Sequence, residues 1–221
     1  MTATLDEVYE RLLQAYGPQG WWPGESPFEV MVGAVLVQNT AWQNVEKAIA
    51  NLRDDNLLDV MRLWQLPREQ LETLIKPAGY FRLKAARLRN LLAYVVERHD
   101  GSLDSVFALS MEELRSDLLE INGIGPETAD SILLYAADKP RFVVDAYTQR
   151  VLKRHGWIDQ EADYGTTQSH FETHLEPDTQ LYGEYHALLV RVGHHHCRKT
   201  PRCEACPLAE WLPADGIRLP D

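Results

Sequence analysis

The segment LLEINGIGPETADSILLYA, Leu118–Ala136, limits the fold more than any other: two apolar runs at helical spacing meet through Gly123-Ile124-Gly125-Pro126. Glycines tolerate positive backbone angles and close approach, so two helices can join here in a tight turn with Ile124 dipping into the gap between them. Pro126 suits the first turn of the second helix, where a missing N–H had no partner anyway. The N-terminus so formed turns free amides outward, a ready phosphate site that needs no lysine. Taken alone, Gly-x-Gly between helices reads as a plain αα-corner.

Helical signals fill the rest of the chain. Ser26-Pro27 supplies a cap and a first-turn proline ahead of FEVMVGAVLV, apolar almost all round as a central buried helix is. Leu66-Pro67 opens REQLETLI, which Pro77 and Gly79 stop. In Arg82 to Arg98, leucines at 83, 88, 91 and 92 stand opposite basic residues, and Ser110 to Glu113 is a capping box. Further helices are expected from Asp145 and from Thr179. Phe142-Val143-Val144 is apolar but too short to count as a strand, so the fold class is all-α with no internal repeat.

The 221 residues suffice for one large or two small domains with real cores. With 22 basic and 33 acidic side chains the net charge is −11, which argues against a nonspecific polyanion binder. Any nucleic-acid contact must then rest on local geometry. No apolar run approaches the roughly 20 residues of a membrane span. The N-terminus carries early acids where a signal peptide carries a basic start, so a cytoplasmic protein with no membrane partner is expected, with a monomer as the default state.

Nine residues past the hairpin segment stands Asp145, in FVVDAYTQRV. A lone Asp at a helix start is by default an N-cap. The hairpin changes that reading. LLEINGIGPETADSILLYA followed by VVDAYTQRV resembles the helix-hairpin-helix and Gly/Pro-Asp signature of the endonuclease III superfamily of DNA glycosylases. The similarity extends to AVLVQNTAWQNVEKA and to CRKTPRCEACPL, and so spans most of the chain.

The resemblance implies a base-excision repair enzyme acting on double-stranded DNA with a damaged base. Such an enzyme flips the nucleotide out, because its glycosidic bond is unreachable inside the stack. Cleavage builds positive charge on the sugar, which a nearby carboxylate can stabilise, and the family places its essential aspartate at Asp145. Members that also nick the strand carry a Schiff-base lysine where this chain has Glu127. Lys139 and Lys153 have no spacing that recommends them as substitutes. Glu127, placed by the resemblance in the catalytic site and favourable in a first helical turn, therefore implies a monofunctional glycosylase.

Trp21, Trp22, Pro23 and Trp42 resemble the aromatic base pocket of the 3-methyladenine branch. A cationic methylated purine is attracted to π-faces and leaves without a general acid. The other reading is a hydrophobic minicore. Gln38 and Asn39, read as helical with Trp42 one turn beyond, occupy the place where the family inserts a polar side chain into the vacated stack. The resemblance gives Gly123, Ile124, Gly125 and Thr128 to the DNA-gripping hairpin. Arg150, with Lys153 and Arg154, makes a basic face near Asp145. Arg82, Lys84, Arg87 and Arg89 make another.

Cys197, Cys203 and Cys206, the only cysteines, have metal spacing rather than disulfide spacing. Against the family's C-x6-C-x2-C-x5-C loop for a 4Fe-4S cluster, the first spacing is one short and Leu212 replaces the fourth cysteine. His196 stands where the usual spacing puts the first ligand. A Cys3His cluster, a zinc site, or a loop whose folding role has passed to other contacts all fit.

The family architecture is two helical lobes with an active-site cleft between them: residues 23–129 as a bundle ending in the hairpin, and residues 1–22 with 130–221 as the second lobe. Other readings are a glycosylase/AP lyase for oxidised pyrimidines or mismatched thymine, a noncatalytic DNA-binding hairpin module, and a metal-dependent structural protein.

Overall fold

The computed structural model describes residues 3–214 and 216–218. Among these the chain is all-helical, with twelve α-helices, two short 3-10 turns and no strand. It opens with α1 (Leu5–Tyr16) and continues through α2 (Pro27–Leu36), α3 (Trp42–Asp54), α4 (Val60–Gln65), α5 (Arg68–Leu74) and α6 (Phe81–His99). Then follow α7 (Leu103–Phe107), α8 (Met111–Glu120), α9 (Pro126–Tyr135), α10 (Ala146–His155), α11 (Tyr164–His174) and α12 (Thr179–His195). No helix among the described residues is long and apolar enough to cross a membrane.

Two compact units form: residues 22–139, and residues 1–21 together with 140–221. In the first, α2 is the centre. Every residue from Phe28 to Leu36 is buried, because α3, α6 and α9 cover it. Each large apolar side chain enclosed this way contributes about 1.5–3 kcal/mol relative to exposure. Even Glu29 is buried, held by Arg53 Nη2 at 2.7 Å. Ser26 caps α2 by accepting from Glu29 N, and α8 begins with the expected Ser110/Glu113 capping box. Arg115 on α8 clamps the fully buried Asp130 on α9 through two hydrogen bonds, locking the helices on either side of the hairpin.

These units divide after residues 21 and 139, where the sequence expectation divides the chain after 22 and 129. A division after residue 129 would cut α9, whose Ile132 and Leu133 belong to the α2 core, so the whole helix stays with the bundle. Trp22 belongs there too, with its ring against Gly33.

In the second unit α12 packs against α10 and α1. Phe142-Val143-Val144 has more importance than its length suggested. All three are at most 1% exposed, and the Phe142 ring stacks on Phe171 with centroids 3.8 Å apart. Its backbone is satisfied by side chains of α11: Phe142 N donates to Glu172 Oε1, and Phe142 O accepts from Gln168 Nε2. This anchored segment delivers the chain to Asp145. Gly193 on α12 lies so close to the Tyr147 ring on α10 that any Cβ there would collide with it.

Candidate catalytic and DNA-binding sites

Asp145 is the N-cap of α10, and its Oδ1 accepts from Thr148 N at 2.7 Å. The capping reading and a chemical one are compatible because the two oxygens face different partners. Oδ2 lies 3.8 Å from His186 Nε2, on α12, with the Asp145 side chain 13% exposed. Burial pushes the carboxyl upward, but the facing His186 imidazole and the Thr148 backbone N–H outweigh it and hold Asp145 below the usual aspartate value. The site therefore presents an ionised carboxylate at neutral pH. Sequence reading missed His186; the available signal was a histidine on the buried face of α12, in line with Tyr182 and Leu189.

In the hairpin, Gly123 has φ +96° and lies against the Arg87 side chain, so both the angle and the contact demand glycine. Gly125 caps α9 without a side chain, and Gly125, Pro126 and Glu127 are exposed. Two residues expected to contact DNA have internal partners. Ile124 is buried and its N–H donates to Ile121 O. Thr128 is buried and its hydroxyl accepts from Gln38 Nε2 at 2.9 Å. Glu127 sits in the first turn of α9, where an acid complements the helix dipole.

Gln38 and Asn39 are not helical. They lie in the turn between α2 and α3, and Asn39 has φ +54°. Gln38 turns inward, donating to Gly123 O and Thr128 Oγ1 and accepting from Arg87 Nη1. Asn39 is exposed.

The expected basic face on α6 is mostly consumed inside the protein. Lys84 is 1% exposed and donates to Leu36 O, Thr40 Oγ1 and Ala78 O. Arg87 serves Gln38, Arg89 serves Trp64 O, and Arg82 alone of the four is largely exposed. Arg150 is tied as well: Nε donates to Cys197 O, and the guanidinium lies over the Tyr147 ring.

Of the four expected pocket residues, the structure brings Trp22 and Trp42 together, edge to face at 5.2 Å. Tyr135 at the end of α9 completes the group, 5.4 Å from Trp22. Tyr135 was concealed in an apolar helical run. Pro23 is exposed, and Trp21 belongs to the other unit. Trp22 and Trp42 are half-buried, against a fully enclosed minicore.

Cys197, Cys203, Cys206, His196, Leu212 and Arg154 line one small hollow. Arg154 is buried and donates to Cys197 Sγ, Arg198 O and Lys199 O. Burial pushes the Cys203 and Cys206 thiols up. Among the described residues no three His, Cys, Asp or Glu side chains converge to hold a metal ion. With Leu212 in place of a fourth cysteine and a guanidinium among the thiols, the residues do not fit a four-cysteine cluster.

Residues 32–177 match the HhH-GPD superfamily of base excision DNA repair proteins. A Methanocaldococcus jannaschii protein named as a DNA repair glycosylase is 45% identical over 207 residues, 93% of this chain and 94% of its own. The endonuclease III of Thermotoga maritima is 31% identical over 185 residues, 81% of this chain and 79% of its own. The crystal structure of H. pylori 3-methyladenine DNA glycosylase bound to 1,N6-ethenoadenine superposes with a TM-score of 0.74 at 29% identity, covering 86% of this chain and 97% of that one. A non-covalent endonuclease III–DNA complex shares the fold, with a TM-score of 0.79 at 21% identity over 96% of each chain. A match running from within α2 to just past α11, joined to a relative nearly half identical along almost its full length, leaves one assignment: the chain belongs to the HhH-GPD superfamily of base excision DNA repair proteins, and it is a DNA glycosylase.

Proposed function

We propose that this glycosylase is a monofunctional monomer that releases alkylated purines, with 3-methyladenine as the type substrate, from double-stranded DNA. The observation that carries the substrate class is the half-buried group of Trp22, Trp42 and Tyr135. Its π-faces attract a cationic base and ask little of hydrogen-bond complementarity. The named substrate of the H. pylori neighbour supports the same class.

The chemistry follows from Asp145. As the glycosidic bond breaks, its electron pair goes to the methylated base, which becomes neutral and departs without an added proton. Positive charge grows on the sugar, and the ionised Asp145 stabilises it. Water then adds its oxygen to the anomeric carbon and gives up a proton, leaving an abasic site. Glu127 has no amine to form a Schiff base, so the strand stays intact. The exposed start of α9 takes a backbone phosphate through its amides and dipole, and Asn39 is the exposed polar side chain of the α2–α3 turn available to the vacated stack. The cysteine loop has a structural role through Arg154.

Base release from alkylated duplex DNA, with 3-methyladenine and 7-methylguanine resolved and borohydride present, tests this. Methylated purine released without a trapped adduct supports the reading. Trapping on an oxidised-pyrimidine duplex with no alkylpurine released overturns it in favour of a bifunctional enzyme.

A further inference from the structure

We propose that His186 is the positioning residue of the reaction: it acts on the sugar only through Asp145, holding Oδ2 while the α10 backbone holds Oδ1. The inference rests on Asp145 being the carboxylate that faces the sugar, as proposed above.

Three observations carry it. His186 Nε2 faces Asp145 Oδ2 at 3.8 Å, longer than a hydrogen bond but within reach of an ion pair, and His186 is 6% exposed. Oδ1 is already committed to Thr148 N, so the torsion of the carboxylate is set at one oxygen by backbone and at the other by an imidazole on a different helix. Finally, the spacing of those helices is itself fixed. Gly193 and Tyr147 meet so closely that α12 seats against α10 at one separation, placing His186 opposite the α10 N-cap.

The physical need is clear. An enclosed carboxylate drifts toward its neutral form, which cannot stabilise a cationic sugar, and a carboxylate held at one oxygen can rotate away from it. His186 answers both needs when a proton on Nε2 faces Oδ2. It requires no contact with DNA.

The test compares His186→Gln, which retains a donor, with His186→Phe, which retains bulk without one. Single-turnover release of methylated purine, duplex affinity by anisotropy and thermal melting are followed for both. His186→Phe is expected to slow release on the order of tenfold or more at unchanged duplex affinity and melting, with His186→Gln recovering most of the loss. Added to Asp145→Asn, His186→Phe should cost nothing further, since there is nothing left to position. Equal rates in wild type and His186→Phe, or losses that add to Asp145→Asn, overturn the proposal. So does a loss that merely tracks melting in both His186 variants. A readout independent of substrate separates this inference from the one beneath it: carboxyl NMR of the DNA-free protein should show Asp145 taking up its proton at higher pH in His186→Phe than in wild type. If wild type releases no alkylpurine and that difference is present, the substrate reading fails and the His186–Asp145 coupling stands. If the difference is absent, the coupling itself is wrong.

Discussion

Gln38, in the turn after α2, donates its side-chain amide to the carbonyl of Gly123 at 3.1 Å, binding the α2–α3 turn to the hairpin across 85 residues of sequence. Because the same amide also donates to Thr128 and its oxygen accepts from Arg87, Gln38 has no donor left for DNA in this conformation. Gln38→Ala strands those groups and should lower stability by about 1–3 kcal/mol, loosening the hairpin and weakening duplex binding with it. Asn39→Ala should weaken duplex binding while leaving melting unchanged. Denaturant unfolding and anisotropy on both variants check this, and the reverse pattern would exchange the two roles.

Asp145→Asn keeps a good N-cap, so stability should change by well under ~1 kcal/mol while base release falls by about 10²–10³-fold. The acid side has a defined direction. The carboxyl is held below the ordinary value of 3.8, so its contribution to stability is complete above that value and is lost as pH falls through the lower folded one. Acid unfolding of the Asn variant should lack this component, and wild-type activity should persist as pH descends to about the ordinary carboxylate range.

From inside the bundle Lys84 holds two acceptors of the α2–α3 region, Leu36 O and Thr40 Oγ1, and joins them to Ala78 O in the turn before α6. Lys84→Met should cost about 2–4 kcal/mol and raise hydrogen exchange in residues 37–41. Burial, joined by the charge of Arg87, pushes the ammonium down to about 8 from its ordinary 10.5. A depressed folded value means the folded state releases its proton first. The stability of wild type relative to Lys84→Met should therefore rise between those two pH values, which melting at pH 7, 9 and 10 resolves on the scale of about 1.4 kcal/mol per unit.

Glu127→Lys places an amine in the first turn of α9, on the hairpin. Borohydride should trap a covalent adduct with this variant on alkylated duplex and none with wild type. Trapping by wild type would show a nucleophilic amine elsewhere in the chain.

Much of this protein is written locally. Ser26-Pro27 and the Ser110–Glu113 box start α2 and α8 where their cap chemistry says, because the groups that satisfy a helix end lie within four residues of it. The hairpin and Asp145 were legible for the same reason: glycine angles, a first-turn proline and an N-cap are properties of neighbouring residues. Partners distant in the chain were not legible. Arg87, Lys84 and Arg150 read as charged surface because periodicity reports the side of a helix and not what covers it. In the structure each long side chain reaches a specific acceptor 6 to 49 residues away. Tyr135 and His186 lay within apolar runs, and only packing shows that one meets Trp22 and the other Asp145. The sequence alone determined that the chain is helical, where its hairpin lies and that Asp145 starts the next helix, because those follow from short-range backbone chemistry; the catalytic role given to Asp145 came from the resemblance to the family. Only the tertiary structure decided that Gln38 faces inward, Asn39 outward and His186 toward Asp145, because each depends on which surfaces the folded chain brings within a few ångströms.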